Sequence, residues 1–459
     1  MTIAQHRDAS SVKGTRLGIS PNGRYLVNQD GEPFLYLADT GWSMFKRLTH
    51  IEADRYFRNR LAKGFTALQA YVLRGLEVPN PEGHFPLVDR DPTKLDEGFF
   101  RNVDYLVNRA NELGLVMGLA TCWGEHVAPR DSNVRDERRE QIFTKESAFS
   151  FGELLGARYR DNCVIWYLGG DHAPTDETVA IWDAMGRGLK AGSNGIHLVS
   201  YHSSGGRSSS SHFHQHEWLD LNTVQSLHRS ADPNYTYIAA DYDLLPVKPT
   251  LDMECRYENI VDWPPRLISN PSGRIDARQV REAAYWAVLA GAAGHTYGHN
   301  SVWQFHDETK VDSWRDYSEG NWLPTIGWIA AMDSAGAFGM SYLRKLLELR
   351  PWHAMAPDQS VIFAGQGEGE DHIQAARAED GSFVLAYLPF GQTVVMRMAK
   401  ITASPVRAQW YNPRAGTFTQ IAEYPNTPDL REFVAPTVGE GNDWVLVLED
   451  ASRNYPVGW

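Results

Sequence analysis

Along roughly the first 350 residues, two hydrophobic patterns alternate. Short apolar runs rich in β-branched and aromatic residues are followed by longer stretches whose apolar positions recur every three or four residues. That alternation predicts βαβ units and a parallel sheet. Eight runs qualify as strands: 34–42, 65–73, 115–123, 163–171, 196–202, 221–229, 249–258 and 293–303. Eight is the number that closes a (β/α)8 TIM barrel. Most of these runs are continuously apolar, as strands covered on both faces must be.

The helical stretches carry their own start and stop signals. Thr49 followed by Glu52 forms a capping-box pattern, and Gly64 ends that helix. A second stripe runs through Phe100, Val103, Val107, Ala110 and Leu113 to Gly114. A third opens with Asp276 and Gln279. The connection 203–220 is irregular and rich in Ser and His, so it reads as a long loop. Past residue 352 the period changes to strand-like alternation, with turn signals at Asp380-Gly381 and Asn412-Pro413. The expected organisation is an arm over 1–15, a barrel over 16–352 and an antiparallel β-sandwich over 356–459.

Composition narrows the partners. Net charge is −13 and no basic run of phosphate-neutralising type occurs, so nucleic acid is not expected. No apolar stretch is long enough to span a bilayer, so no membrane partner is expected either. The three cysteines are sparse and odd in number, which fits free thiols in a reducing compartment. With no visible signal peptide at the N-terminus, the expectation is a cytoplasmic enzyme. The 15 Trp and 20 Tyr supply flat apolar faces with polar tips, suited to sugar rings. The sequence leaves the oligomeric state open.

Barrel active sites lie at the C-terminal strand ends. Those ends supply Asp39, Trp42, Gln69, Tyr71, Trp123, Asp171, His172, His202, Gln225, His228, Glu254, Tyr257, Glu258, His299 and Trp303. Carboxylates, aromatics and neutral hydrogen-bonding groups converge there, as a sugar site requires. Asp39, Gln69, Tyr71, His202 and Gln225 are expected to contact hydroxyls. Trp42, Trp123 and Trp303 are expected as apolar walls, and His172, Tyr257 and His299 as further substrate contacts. Glycoside cleavage needs two carboxyl groups flanking the bond. Asp171, after strand four, and Glu254, at the end of strand seven, are the candidate pair. Asp171 follows two glycines and also suits a turn or helix cap. Glu254 sits in an otherwise apolar strand, where an unused carboxylate would cost several kcal/mol. His212, His214 and His216 form the one cluster suggestive of metal, but they lie in the loop and no His-x-His closes strand one, so neither metal nor cofactor is expected. No phosphate loop, nucleophile elbow or dinucleotide fingerprint is present.

Several motifs in order resemble the apiosidase-like glycoside hydrolases of family 140. They are Ala38-Asp39-Thr40-Gly41-Trp42, Leu168-Gly169-Gly170-Asp171, the stretch from Phe213-His214 through Trp218-Leu219-Asp220 to Asn222 and Gln225-Ser226, and Glu254 with Tyr257-Glu258. Trp410-Tyr411-Asn412-Pro413-Arg414 resembles the β-sandwich that follows that barrel. The resemblance implies a retaining enzyme with Asp171 as acid/base and Glu254 as nucleophile. It also implies exo-acting release of a pentofuranose, apiose, from a plant oligosaccharide or glycoside. The wider clan places Asn-Glu after strand four, where this chain has Gly170-Asp171. Alternatives are another furanosidase, such as one for arabinofuranosides, a non-catalytic carbohydrate-binding barrel, and a metal-dependent hydrolase.

Overall fold

The structure is a computed structural model that describes residues 16–128, 141–262, 273–309, 323–402 and 404–456. The expected arm over 1–15 lies outside the described residues. A three-stranded antiparallel sheet (Gly18–Ile19, Leu26–Val27, Pro33–Phe34) leads into the barrel.

All eight expected barrel strands form: β1 (Tyr36–Thr40), β2 (Ala67–Leu73), β3 (Val116–Cys122), β4 (Val164–Gly169), β5 (Leu198–His202), β6 (Asn222–Gln225), β7 (Thr250–Glu254) and β8 (Gly294–Tyr297). They lie parallel in the order β5-β4-β3-β2-β1-β8-β7-β6, and the short strand Arg207–Ser208 pairs antiparallel on the free edge of β6. Between β5 and β6 the ring closes without a regular ladder. Asp220 N–H donates to Val199 O at 2.9 Å, and Ser200 Oγ donates to Leu221 O at 2.7 Å.

The interior is packed, not hollow. Tyr36, Gln69 and Tyr167 fill one layer, with Tyr167 Oη donating to Tyr36 Oη at 2.9 Å and Gln69 Nε2 to Thr296 Oγ1 at 3.0 Å. Gly118 makes room for those rings, since a Cβ there would meet Tyr167 at 2.7 Å.

Helices α1 (His50–Ala62), α2 (Glu97–Glu112), α3 (Lys145–Arg158), α4 (Asp176–Gly192), α5 (Asn234–Tyr242), α6 (Ala277–Leu289) and α7 (Ala335–Glu348) follow every strand but β5. The connection after β5 holds only Arg207–Ser208 and the single turn Ser210–Phe213, in keeping with its irregular sequence. The Thr49–Glu52 and Asp276–Gln279 capping boxes are both formed. Each satisfies N–H groups that would otherwise be orphaned at a helix start, worth about 1 kcal/mol per cap.

The remainder is two packed antiparallel sheets. One holds β9 (Met355–Pro357), β11 (Gln374–Ala378), β12 (Phe383–Leu388), β17 (Trp444–Asp450), β14 (Val406–Asn412) and β15 (Thr417–Tyr424), in that order. The other holds β10 (Ile362–Ala364), β13 (Thr393–Arg397) and β16 (Leu430–Val434). Period-two alternation sends Val384, Ala386, Leu446 and Leu448 into the sandwich core. Their neighbours Phe383, Leu385, Val445 and Val447 face the barrel. A buried bidentate pair, Arg281 of α6 with Asp443 at 2.8–2.9 Å, locks that interface. Tyr285 stacks on Tyr387 beside it, 4.8 Å between ring centroids. Among the described residues no helix is long and apolar enough to cross a membrane.

Candidate active site

A cavity of about 380 Å3 opens at the C-terminal ends of the barrel strands. Trp42, Arg74, Trp123, Asp171, Gly205, Gln225, His228, Glu254, Tyr257 and Trp303 line it.

Glu254 is the last residue of β7, where the register against β6 shifts between Val224 and Gln225. Its carboxylate is buried and held on both oxygens. His202 Nε2 lies 2.7 Å from Oε2 and His228 Nε2 lies 3.2 Å from Oε1. Burial alone would raise its proton affinity. The hydrogen bonds and charges of His202 and His228 outweigh that and hold the carboxyl well below the usual carboxylate range. Tyr257 Oη accepts from Trp42 Nε1 at 2.9 Å beside Glu254, and burial followed by the Glu254 charge keeps the phenol un-ionised.

Asp171 stands two residues past β4 in a left-handed conformation, φ 54°. It follows Gly169 at φ 79° and Gly170 at φ 147°, a turn that L side chains rarely adopt. Gln225 Nε2 donates to Asp171 Oδ1 at 2.7 Å and Trp123 Nε1 to Oδ2 at 3.2 Å, so the carboxyl is gripped from both sides. Carboxylate oxygens of Asp171 and Glu254 lie within 4.8 Å of one another across the cavity, and a ring nitrogen of His202 lies within the same distance of both.

Trp42 and Trp123 pack edge to face, 5.2 Å apart, and the guanidinium of Arg74 sits 4.4 Å over Trp123. Indole rings and charged groups thus line one cavity, a mixture that suits a sugar ring.

Six residues expected to touch substrate do not line this cavity. Asp39 points out of the barrel wall into an ion pair with Arg60 of α1 at 2.9 Å and accepts from Tyr56 Oη at 2.5 Å. Gln69 belongs to the interior layer below the site. Tyr71 donates to Ser43 Oγ at 2.9 Å and supports Trp123 from beneath. His172 turns its Nδ1 onto Gly170 O at 2.8 Å. The run 293–303 is strand only to Tyr297, and His299 instead accepts Ser301 N–H to cap the turn Asn300–Trp303. Burial pushes His299 down to about 3, which makes it a neutral acceptor. His202, fully buried, meets Glu254 and not the cavity itself. Glu258 is also turned away, its carboxylate accepting from Tyr297 Oη and from the Gly336 N–H of α7.

Arg74 and Gly205 line the cavity without having been singled out, and so does His228, named at a strand end but given no substrate role. Arg74 is the residue after β2, so the strand-end rule extended by one position finds it. The loop histidines diverge, with His214 on Asn222 and Pro246 O and His216 on Asp183. Two groups could offer metal ligands: Asp171, His202 and Glu254, and the buried Asp252, Cys255 and His295. In the second, the imidazole of His295 lies between its partners, Nδ1 to Asp252 at 3.1 Å and Nε2 to Cys255 at 3.6 Å.

Comparison with known proteins agrees with the geometry. The family model described as the apiosidase-like catalytic domain matches residues 20–354, and a model for a collagen-binding-like domain of a collagenase matches 356–449. Among solved structures, a glycoside hydrolase family 5 protein from Bacteroides vulgatus is 28% identical with a TM-score of 0.85, over 97% of this chain and 96% of that one. Another, described only as a glycoside hydrolase, is 27% identical with a TM-score of 0.84, over 96% of this chain and 98% of its own. No curated protein matches the sequence. A barrel with two carboxyl groups facing one another in an aromatic-walled cavity, matched over most of its length by one family model, makes this chain a glycosidase that belongs to the apiosidase-like family.

Proposed function

We propose that the protein is a retaining, exo-acting glycosidase that releases a pentofuranose, apiose-like, from a plant-derived oligosaccharide or glycoside. Asp171 is the acid/base and Glu254 the nucleophile. The observation that carries this reading is the approach of their carboxylate oxygens to within 4.8 Å. Retaining pairs lie about 5–5.5 Å apart, whereas inverting pairs need about 6.5–9.5 Å to seat a water.

In the first step a Glu254 oxygen bonds to the anomeric carbon. The bond to the aglycone breaks and the leaving oxygen takes the proton of Asp171. In the second, water attacks the same carbon and gives its proton to Asp171, and Glu254 leaves as carboxylate. Glu254 suits the nucleophilic role because His202 and His228 keep it ionised. Trp42, Trp123 and Trp303 form the apolar walls; Gln225, Tyr257, His228 and Arg74 face the sugar hydroxyls and the aglycone. A cavity of about 380 Å3 has room for a terminal sugar. In this reading the barrel over 16–352 carries catalysis and the sandwich over 356–459 braces it. The three buried free thiols suit a reducing, cytoplasmic setting.

The test is a panel of 4-nitrophenyl furanosides and pyranosides. Release of nitrophenol from the apiofuranoside is expected, with proton NMR showing retained configuration in the first-formed sugar. Glu254→Gln is expected to lose at least about 1,000-fold in kcat. Near-normal turnover by that variant, or an inverted first product, overturns the proposal. Preferred release of arabinofuranose would identify the other furanosidase reading. Binding without release would identify a carbohydrate-binding barrel, and loss of activity with a chelator a metal-dependent hydrolase.

A further inference from the structure

The contacts of His202 exceed what a neutral imidazole can satisfy. Nδ1 lies 3.0 Å from the carbonyl oxygen of Ser203, which can only accept. Nε2 lies 2.7 Å from Glu254 Oε2, and that carboxylate also receives His228 Nε2 on its other oxygen. An ionised carboxylate likewise only accepts. Two acceptors on two ring nitrogens require two N–H protons, hence an imidazolium. The surroundings suit one. The ring is fully buried, its centroid 5.4 Å from that of Trp42 in an edge contact and 5.3 Å from that of Trp123 in a tilted one. The charged and titratable groups around it are Glu254, Asp171 and, beyond Glu254, His228 and Tyr257, with Arg74 over the Trp123 ring.

We propose that His202 is a permanently protonated positioning residue that serves as the shared counter-charge for Glu254 in the free enzyme and for Asp171 in the glycosyl-enzyme. This rests on the double-displacement reading above. In the free enzyme Glu254 is the anion and Asp171 the neutral acid. Once Glu254 becomes a neutral ester and Asp171 has given up its proton, the negative charge has crossed the cavity. His202 lies within 4.8 Å of an oxygen of each, so the cation stays paired while the anion changes place, and no proton need enter or leave the imidazole. Burial would by itself lower the basicity of this ring; the hydrogen bond and charge of Glu254 lead the effects that outweigh it and raise it.

The charge is read directly by nitrogen-15 NMR of the histidine-labelled full-length protein at neutral pH. In the wild type an imidazole with both ring nitrogens protonated is expected, its signal absent from His202→Gln. It should persist in Glu254→Gln, which mimics the neutral ester and leaves Asp171 as the anion. It should vanish in Glu254→Gln/Asp171→Asn. A neutral His202 in the wild type, or deprotonation in Glu254→Gln alone, overturns the proposal. Neither measurement needs turnover, so an enzyme inactive on every aryl glycoside would overturn the parent reading while the ring nitrogens still report the charge. Kinetics supply the second arm. His202→Gln keeps a donor to Glu254 but no charge. Its kcat/KM on 4-nitrophenyl apiofuranoside is expected about 300- to 1,000-fold lower, the loss of a pair at about 4–5 Å in an effective dielectric near 20. The acid limbs of kcat/KM and of kcat should both move up by about one to two pH units as Glu254 and Asp171 each lose a cation. A variant slower than wild type but with both limbs unmoved would show a purely structural histidine and overturn the proposal.

Discussion

The Gly170 position offers a sharp test of how the acid is held. A Cβ added there would lie 2.5 Å from Trp123 Cδ2 and 2.6 Å from Cε3, and φ is 147°, a conformation that disfavours any side chain. Gly170→Ala therefore faces about 1–3 kcal/mol of backbone strain and about 1–3 kcal/mol of overpacking against a buried indole. Either response harms the site. If the indole yields, the 3.2 Å bond from Trp123 to Asp171 is broken and the apolar wall shifts. If the turn yields, Asp171 moves. A displacement of about 1 Å in a reacting group costs about 100-fold in rate. The expected result is a kcat/KM about 100-fold lower on 4-nitrophenyl apiofuranoside, with a lower thermal midpoint. Pairing Gly170→Ala with Trp123→Leu should recover part of the stability but not the activity, because the two side chains share one space. A Gly170→Ala protein with wild-type melting and wild-type kcat/KM would refute the argument that the turn is built around that contact.

Three further outcomes are expected. Asp171→Asn should lose about 100- to 10,000-fold on substrates with poor leaving groups and far less with dinitrophenol, which departs without a proton; equal losses on both would count against the acid role. Glu254 is held below its ordinary value, so its contribution to stability is present above the unfolded value near 4.5 and is lost as pH falls towards the folded one. Urea midpoints should therefore drop below pH 4.5 in the wild type and drop less in Glu254→Gln. Asp443→Ala strands a buried Arg281 at the junction of barrel and sandwich, and a loss of about 3–5 kcal/mol in chemical denaturation is expected.

The period of the hydrophobic pattern determined most of the architecture. Continuous apolar runs divided by capped, striped helices marked strands covered on both faces, and period-two alternation past residue 352 marked antiparallel strands with one face turned to a core. Glu254 was legible from the strand-end rule, which puts the end of the seventh run at the mouth where the cavity lies. The tertiary structure decided what periodicity cannot encode. Where both faces of a strand are buried, no sequence signal says which side chains point into the barrel, so Asp39 and Gln69 looked like Gln225. Asp39 turned outward to Arg60, Gln69 inward below the cavity, and Gln225 upward to Asp171. The two histidines that ionise Glu254 arrive from β5 and from the segment after β6, 52 and 26 residues away along the chain. Ring closure brought them together, and local sequence records nothing of contacts made by closing a ring.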